Sequence, residues 1–398
     1  MNAIELLDII NSGETSKVQF KREISNDDAI AAEMIAMSNT KGGFILFGVE
    51  DKTGRITGLD FNQLRDYNSR LATIDKVKPQ IFIITEVVTV SSAMEANKVL
   101  VVEISEGIAR PYKDRNGVIW VKQGGDKRKL TDNNEQLRLF QKSGLLYLDE
   151  MQVPHTSIDD VELSKVEKYI EAIQKTEVDI KNQIDGKLLN NLNIIKGGQI
   201  TLGGLLFFTK NPQKWRPVFC IKAVSFFGNS IGGSDYRSSQ DIIGTIPEMF
   251  EEGIRFFTSN LQHLQQGANF NSVGKLEISR IALEELLQNA LVHRDYSKNA
   301  PIRLMIFDNR IEIVSPGALP NSLTIENVKM GNAVVRNNLL VSYCSKLMNY
   351  RGFGSGITRA IENQPDIELT NEVDGEQFRV VIPRPNATFN SVPPRLSK

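Results

Sequence analysis

The chain has 398 residues, with 41% hydrophobic residues, 24% charged residues and a formal net charge of −1. That length allows two or three domains with full cores, and a balanced charge confines any nucleic-acid surface to a local patch. Two cysteines, Cys220 and Cys344, exclude a disulfide framework, and three histidines beside them leave no zinc set. No apolar run approaches the roughly 18 residues of a membrane span. The opening MNAIELLDIINSGET has neither a basic region nor a cleavage site. Neither a membrane span nor a signal peptide is therefore expected, and the expected location is cytoplasmic.

In chain order, Val18 and Phe20 alternate as in a strand, and Asn26 or Asp27 stands where it can cap a helix over 27–40. GGFILFGV then reads as a buried strand that ends in an Asp-Lys-Thr-Gly turn. If the first strand persists, Glu23 shares a face with Gln19 and Lys21. From Ile108 to Lys129 there are seven basic residues against two acidic ones, with Tyr112 and Trp120 interleaved. VIWV reads as a strand inside this run, so Arg110, Lys113, Lys122, Lys127, Arg128 and Lys129 fall on one strand face or on adjacent loops. Cations among aromatics suit phosphates and stacked bases; the plain alternative is a solvated charged face.

The segments ETSKVQFKREIS, KGGFILFGVEDKTG and IWVKQGGDKRKLT, in this order, resemble the Schlafen AlbA-type domain over Ile4 to Gln141. The resemblance implies a mixed α/β nucleic-acid-binding domain over residues 1–145. Nucleases of that kind cut RNA with three carboxylates, which hold Mg²⁺ or Mn²⁺ against the scissile phosphate. Carried onto this chain, the first falls on Glu14, the third on Asp51 or its neighbour Glu50, and the second on Gln19. An amide binds a divalent cation far less well, so the set expected is a degenerate one of Glu14, Asp51 and, as a substitute, Glu23. Lys17 and Lys21 then become phosphate contacts, and a binding module is preferred to an active nuclease.

The region 155–274 shows a helical pattern from Val161 to Glu177, a buried strand in PVFCIKAVSFFG, and one or two helices from Asp241 to Gln266 with Phe250, Ile254, Phe257 and Leu261 as core. No chemistry is assigned to it.

In IALEELLQNALVHRDYS, from Ile281 to Ser297, an apolar stripe has the helical period, and Glu285, Asn289 and His293 stack four apart beside it. An amide oxygen can bind a hard cation while a carboxylate one turn away orients or deprotonates a water. The alternative is an amphipathic helix whose polar face meets solvent. Gly352, Gly354 and Gly356 then open a helical pattern, a context in which backbone N–H groups hold phosphate. Neither a Rossmann fingerprint nor a GxxxxGK[ST] loop is present, and the His-Arg-Asp run at 293–295 lacks the Asn that a kinase loop needs. Those three residues are expected to cap the helix end and bond to the next strand.

LEELLQNALVHRDYS, FDNRIEIVSPGALP, VVRNNLL and YRGFGSGI together resemble the ordered motifs of a GHKL-type ATPase domain. The branch is that of bacterial regulators with a helicase-C-terminal-like ATP-binding domain. The resemblance implies ATP and Mg²⁺ as cofactors, Asn289 as the Mg²⁺ ligand and Glu285 as the residue that positions the attacking water. It places Gly317 near the adenine and Gly352, Gly354, Ser355 and Gly356 over the phosphates. The DxGxG of that family is here SPGAL, so the Asp that reads the adenine amino group has no counterpart. In such regulators the region before the ATPase docks against it, and Tyr236 to Ser239 would be a loop there.

The expected architecture is thus α+β and multidomain: a Schlafen/AlbA-like domain at 1–145, a helical or mixed region at 155–274, a GHKL (Bergerat-type) α/β sandwich at 275–385 and a flexible tail at 386–398. The expected function is an ATP-binding, weakly ATP-hydrolysing protein that binds DNA or RNA, a regulator switched by Mg-ATP in conformation or dimerisation, with a homo-oligomer as the assembly. Two alternatives stand beside it: an ATP-controlled nuclease of the Schlafen type in defence, and a nucleotide-binding scaffold without hydrolysis.

Overall fold

A computed structural model describes residues 1–384 except 52, 73–76, 92–95, 108, 175–183, 233–234, 265–273, 321–322 and 353. The expected tail at 386–398 and the end of the helical pattern at 175–177 lie outside the described residues. The chain forms two compact units, Met1–Leu146 and Tyr147–Lys398.

In the first unit, GFILF forms the strand Gly43–Phe47, which pairs in parallel with Val18–Lys21 and antiparallel with Ala96–Ile104; Ile83–Ser91 completes the four described strands of this sheet. A parallel pair needs a crossover, supplied by the helix Asp27–Ser38. The cap is Asn26, whose side chain accepts from the N–H groups of Asp28 and Ala29. Both sheet faces are covered, which is why the central strands read as unbroken apolar runs. Ile45, Phe47, Leu100 and Val102 pack under Asp27–Ser38 and the helix Phe61–Ala72, while Leu46, Val99 and Val101 pack under Leu6 and Ile10 of Ala3–Ser12. The first strand stops at Lys21, so Glu23 lies beyond it and is exposed, off the face of Gln19 and Lys21. VIWV contributes to a small hairpin, Trp120–Gln123 against Asp126–Lys129.

The second unit is built on a mixed sheet whose described strands run in the order Tyr236–Ile242, Ile221–Phe226, Ile302–Ile306, Arg310–Pro316, Gln377–Pro383, Glu368–Glu372. The sheet crosses the boundary expected at 274, because Ile221–Phe226 pairs in parallel with Ile302–Ile306. Residues 155–274 therefore share one core with residues 275–384. Tyr236 to Ser239, expected in a loop, lie in an edge strand paired with Ile221–Phe226. This strand reads poorly because most of it is exposed and polar, as edge strands are.

Helices Ile246–Asn260 and Arg280–Val292 cover one face of the sheet, and Ser355–Asn363 packs on Arg280–Val292. Leu283, Leu286 and Leu287 meet Ile302, Leu304 and Ile313 in this core. Arg280–Val292 is buried on nearly every side, Gln288 and Glu285 included, whereas Ile281 is exposed. On the opposite face Phe226 stacks on Phe307 with centroids 5.1 Å apart, and the Arg310 guanidinium lies 4.1 Å from the Phe307 ring. The helix Asn338–Leu347 is anchored by Tyr343, packed edge-on against Tyr169 and Phe208.

Candidate nucleotide site

Glu285, Asn289 and His293 line one cleft together with Gly317, Gly352, Gly354, Ser355 and Gly356. Residues from three separate stretches of sequence thus meet, and the cofactor-binding residues expected from the sequence are all among them. The floor is apolar, made by Ile313 and Val380 of the sheet, with Ala290 of the helix and Val328 and Val334 at the sides. A flat apolar base beside a polar end is the division a nucleotide requires.

The polar end is assembled by close approach of two helices. A Cβ on Gly356 would stand 2.7 Å from Oε2 of Glu285 and 3.0 Å from Nδ2 of Asn289, so a side chain there would displace the ends of both residues from their present places. Gly354 has φ +74°, and a Cβ there would run into the carbonyl oxygen of Gly331. Gly317 is held equally tightly: its φ is +103° and a Cβ would stand 2.7 Å from Nη1 of Arg336. Asn289 Nδ2 is buried and has no hydrogen-bond partner. An unpaired buried amide is rare, and it leaves the carboxamide free to present its oxygen to a cation.

VVRNNLL closes the helix end. Arg336 donates to the carbonyl of His293 at 3.0 Å, and Asn337 Nδ2 donates to those of Val292 at 2.8 Å and Arg294 at 2.9 Å. The carbonyls of Val292 and His293 are among the ones a helix C-terminus leaves without partners, and a cation there also complements the helix dipole. His293 itself lines the cleft, with Nε2 2.9 Å from the Tyr350 hydroxyl; burial, reinforced by Arg336, pushes its pKa down to about 4. Arg294 is fully buried between the rings of Phe219 and Tyr296 and donates to the carbonyls of Lys298 and Ala300. The N–H of Asp295 donates to the carbonyl of Pro316 at 2.8 Å, which ties the helix end to the strand Arg310–Pro316 rather than to the next strand, Ile302–Ile306. Ser315, where the DxGxG motif has Asp, lines the cleft and donates its hydroxyl hydrogen to the Ala290 carbonyl at 3.0 Å. Asp308 is engaged by Arg237 and the N–H of Gly228.

Sequence reasoning assigned no role to Arg359, Arg336, Tyr350 or Ser315. Arg336, Tyr350 and Ser315 lie inside the motifs VVRNNLL, YRGFGSGI and SPGALP, and Arg359 stands one helical turn after Ser355 in SGITRA.

In the first unit the expected nuclease residues do not converge on an open site. Glu14 accepts from Gln19 Nε2 and, at 2.8 Å, from the N–H of Phe20, while Asp51 is paired with Lys21 at 2.7 Å. Lys122, expected as a surface cation, is inside instead. Its Nζ donates to Gln19 Oε1 at 2.8 Å, Glu33 Oε1 at 2.6 Å and the Gly125 carbonyl at 2.6 Å, the three donors of an ammonium all placed. Glu33, buried on the helix Asp27–Ser38, also holds Lys127 at 2.9 Å. Arg128 pairs with Glu135 and Arg110 with Glu106. Lys17, Lys113 and Lys129 make no ion pair among the described residues; Lys129 stands 5.5 Å over the Trp120 ring. No group of three or more His, Cys, Asp or Glu able to hold a metal occurs among the described residues.

Residues 14–131 match the family model described as "Schlafen, AlbA_2", and residues 299–382 match the one described as "Putative ATP-dependent DNA helicase recG C-terminal". The chain joins a Schlafen AlbA_2 domain to an ATPase-type domain. These two domains mark it as a protein of ATP- and nucleic-acid-related function. The AlbA_2 match contains Glu14, Asp51 and the whole basic run. The ATPase-type match contains Gly317 and the glycine loop and begins after Glu285 and Asn289. No match was found among curated proteins. One similar solved structure is the DIP2311 protein from Corynebacterium diphtheriae, at 20% identity and a TM-score of 0.47, covering 96% of this chain and 80% of that chain. Among the described residues no helix is long and apolar enough to cross a membrane.

Proposed function

We propose that this protein binds and slowly hydrolyses ATP with Mg²⁺ in the cleft of its second unit, that the first unit binds nucleic acid, and that nucleotide state sets the conformation or association of the molecule. The observation that carries the reading is the unpartnered amide of Asn289 beside buried Glu285, both pressed against Gly356 at the start of a helix. Asn289 would hold Mg²⁺ through its amide oxygen, and the ion supplies neutralisation of phosphate charge. Glu285 takes the proton of a water whose oxygen bonds to the terminal phosphorus. The bond from that phosphorus to the bridging oxygen breaks, the electron pair leaves with ADP, and inorganic phosphate remains. The apolar floor takes the base, and the backbone of Gly354 to Gly356 takes the phosphates.

Binding rather than cleavage is the role favoured for the first unit, because the ammonium of Lys122 fills the position among Gln19, Glu33 and the Gly125 carbonyl where a cation would otherwise be drawn. The test is nucleotide binding and turnover in wild type and two variants. Asn289→Ala is expected to lose Mg-dependent ATP binding. Glu285→Ala is expected to keep binding and to lose turnover by about 10²–10⁴, the usual worth of a general base. Unaltered hydrolysis in both variants refutes the site.

A further inference from the structure

The helix Ser355–Asn363 carries a cation for which the scheme above has no task. Arg359 Nη2 is ion-paired with Oε1 of Glu285 inside the cleft, where the two side chains are 30% and 10% exposed. A carboxylate oxygen held by a guanidinium is not available to take a proton from water. Two donors beside this pair have no acceptor, Nε of Arg359 and Nδ2 of Asn289, and both are buried. Proteins rarely leave such donors unmet, and here both belong to side chains that line the same cleft. An anion lying between the two helices would meet them. The terminal phosphate of a nucleoside triphosphate is such an anion, and its charge and fork-matching oxygens compete well with a single carboxylate for an arginine.

We propose that Arg359 has two positions: it clamps Glu285 while no triphosphate is bound, and it moves onto the oxygens of the terminal phosphate when one binds. The move frees Glu285 to accept the proton of the attacking water, with bonds exchanged as described above. A diphosphate lacks the group that draws Arg359 away, so after hydrolysis the clamp re-forms. The cleft is thereby self-restrained, and its preference for triphosphate over diphosphate resides in Arg359. This inference rests on the nucleotide reading of the site.

The experiment measures affinity for the β,γ-imido analogue of ATP and for ADP, both with Mg²⁺, by calorimetry on the full chain. In Arg359→Ala the analogue is expected to bind at least tenfold more weakly, while ADP stays within about threefold of wild type. Arg359→Lys should fall between, since it restores charge without the fork. Glu285→Gln should bind the analogue several-fold more tightly than wild type, because the clamp is gone, and this gain should vanish in the double variant Arg359→Ala/Glu285→Gln. The double variant also removes both charges of the pair together, so it remains informative if Arg359→Ala alone does not fold. Equal losses for the two nucleotides, an unchanged analogue affinity, or a gain that survives in the double variant would each overturn the role of Arg359. Failure of the wild-type protein to bind either nucleotide would instead overturn the site itself, and the role of Arg359 with it.

Discussion

Asp149 sits at the start of the second unit with no exposed surface, one oxygen accepting from the N–H of Leu340 at 3.1 Å and the other without a partner. It accepts from the first turn of the helix Asn338–Leu347, which follows Arg336 of the cleft lining. Burial raises its pKa to about 6. The folded protein therefore holds this proton more tightly than the unfolded chain, and the stability it confers is full below pH 4 and lost as the pH rises to about 6. At about 1.4 kcal/mol per tenfold in proton affinity, the loss is roughly 3 kcal/mol. His293 works in the opposite direction: its pKa lies near 4, so stability present above pH 6.5 is lost as the pH falls towards 4. Asp149→Asn should accordingly gain stability relative to wild type as the pH rises from 4 to 6, measured as the difference between the two melting temperatures. A difference independent of pH would show that Asp149 has an ordinary carboxyl.

At the scale of elements, the contact between Arg280–Val292 and Ser355–Asn363 is what makes the cleft. Gly356→Ala places a methyl 2.7 Å from Glu285 Oε2 and 3.0 Å from Asn289 Nδ2, both ends of side chains that can shift. The expected result is a loss of ATP affinity of tenfold or more with a small change in melting temperature; the reverse pattern would make Gly356 a packing residue only. The Arg280–Val292 helix is legible from its apolar period, and so are Gly43–Phe47 and Arg310–Pro316. What the period hides is that this helix is enclosed on almost all sides, with Gln288 buried and Ile281 exposed. Its surroundings come from distant segments, and no local pattern records them. The same limit applies to Tyr236–Ile242, a strand by virtue of its partner Ile221–Phe226 rather than of its own residues.

For the molecule as a whole, the net charge of −1 leaves affinity for nucleic acid to a few cations. The basic run supplies fewer than its composition suggests, since Lys122, Lys127, Arg128 and Arg110 are engaged by carboxylates within their own unit. Lys17, Lys113 and Lys129 are the candidates that make no ion pair among the described residues. Replacing all three by Ala should weaken nucleic-acid binding and, at about 0.9 per phosphate contact, reduce the slope of log affinity against log salt by up to about 3 on duplex DNA. An unchanged slope would place the nucleic-acid surface elsewhere or remove it.

Residue order alone determined which domains the chain carries and which residues line the cleft proposed for nucleotide. Glycines at 317, 352, 354 and 356, and an acid and an amide one helical turn apart, are demands of backbone geometry and of local spacing, and both are written in sequence. Only the tertiary structure decided which charges are available. Lys122 became an interior ammonium, Arg359 the ion-pair partner of Glu285, and Ser315 a tie to Ala290. The reason is physical: whether a charged side chain is paired, buried or free depends on partners scores of residues away, and burial multiplies the strength of each such contact.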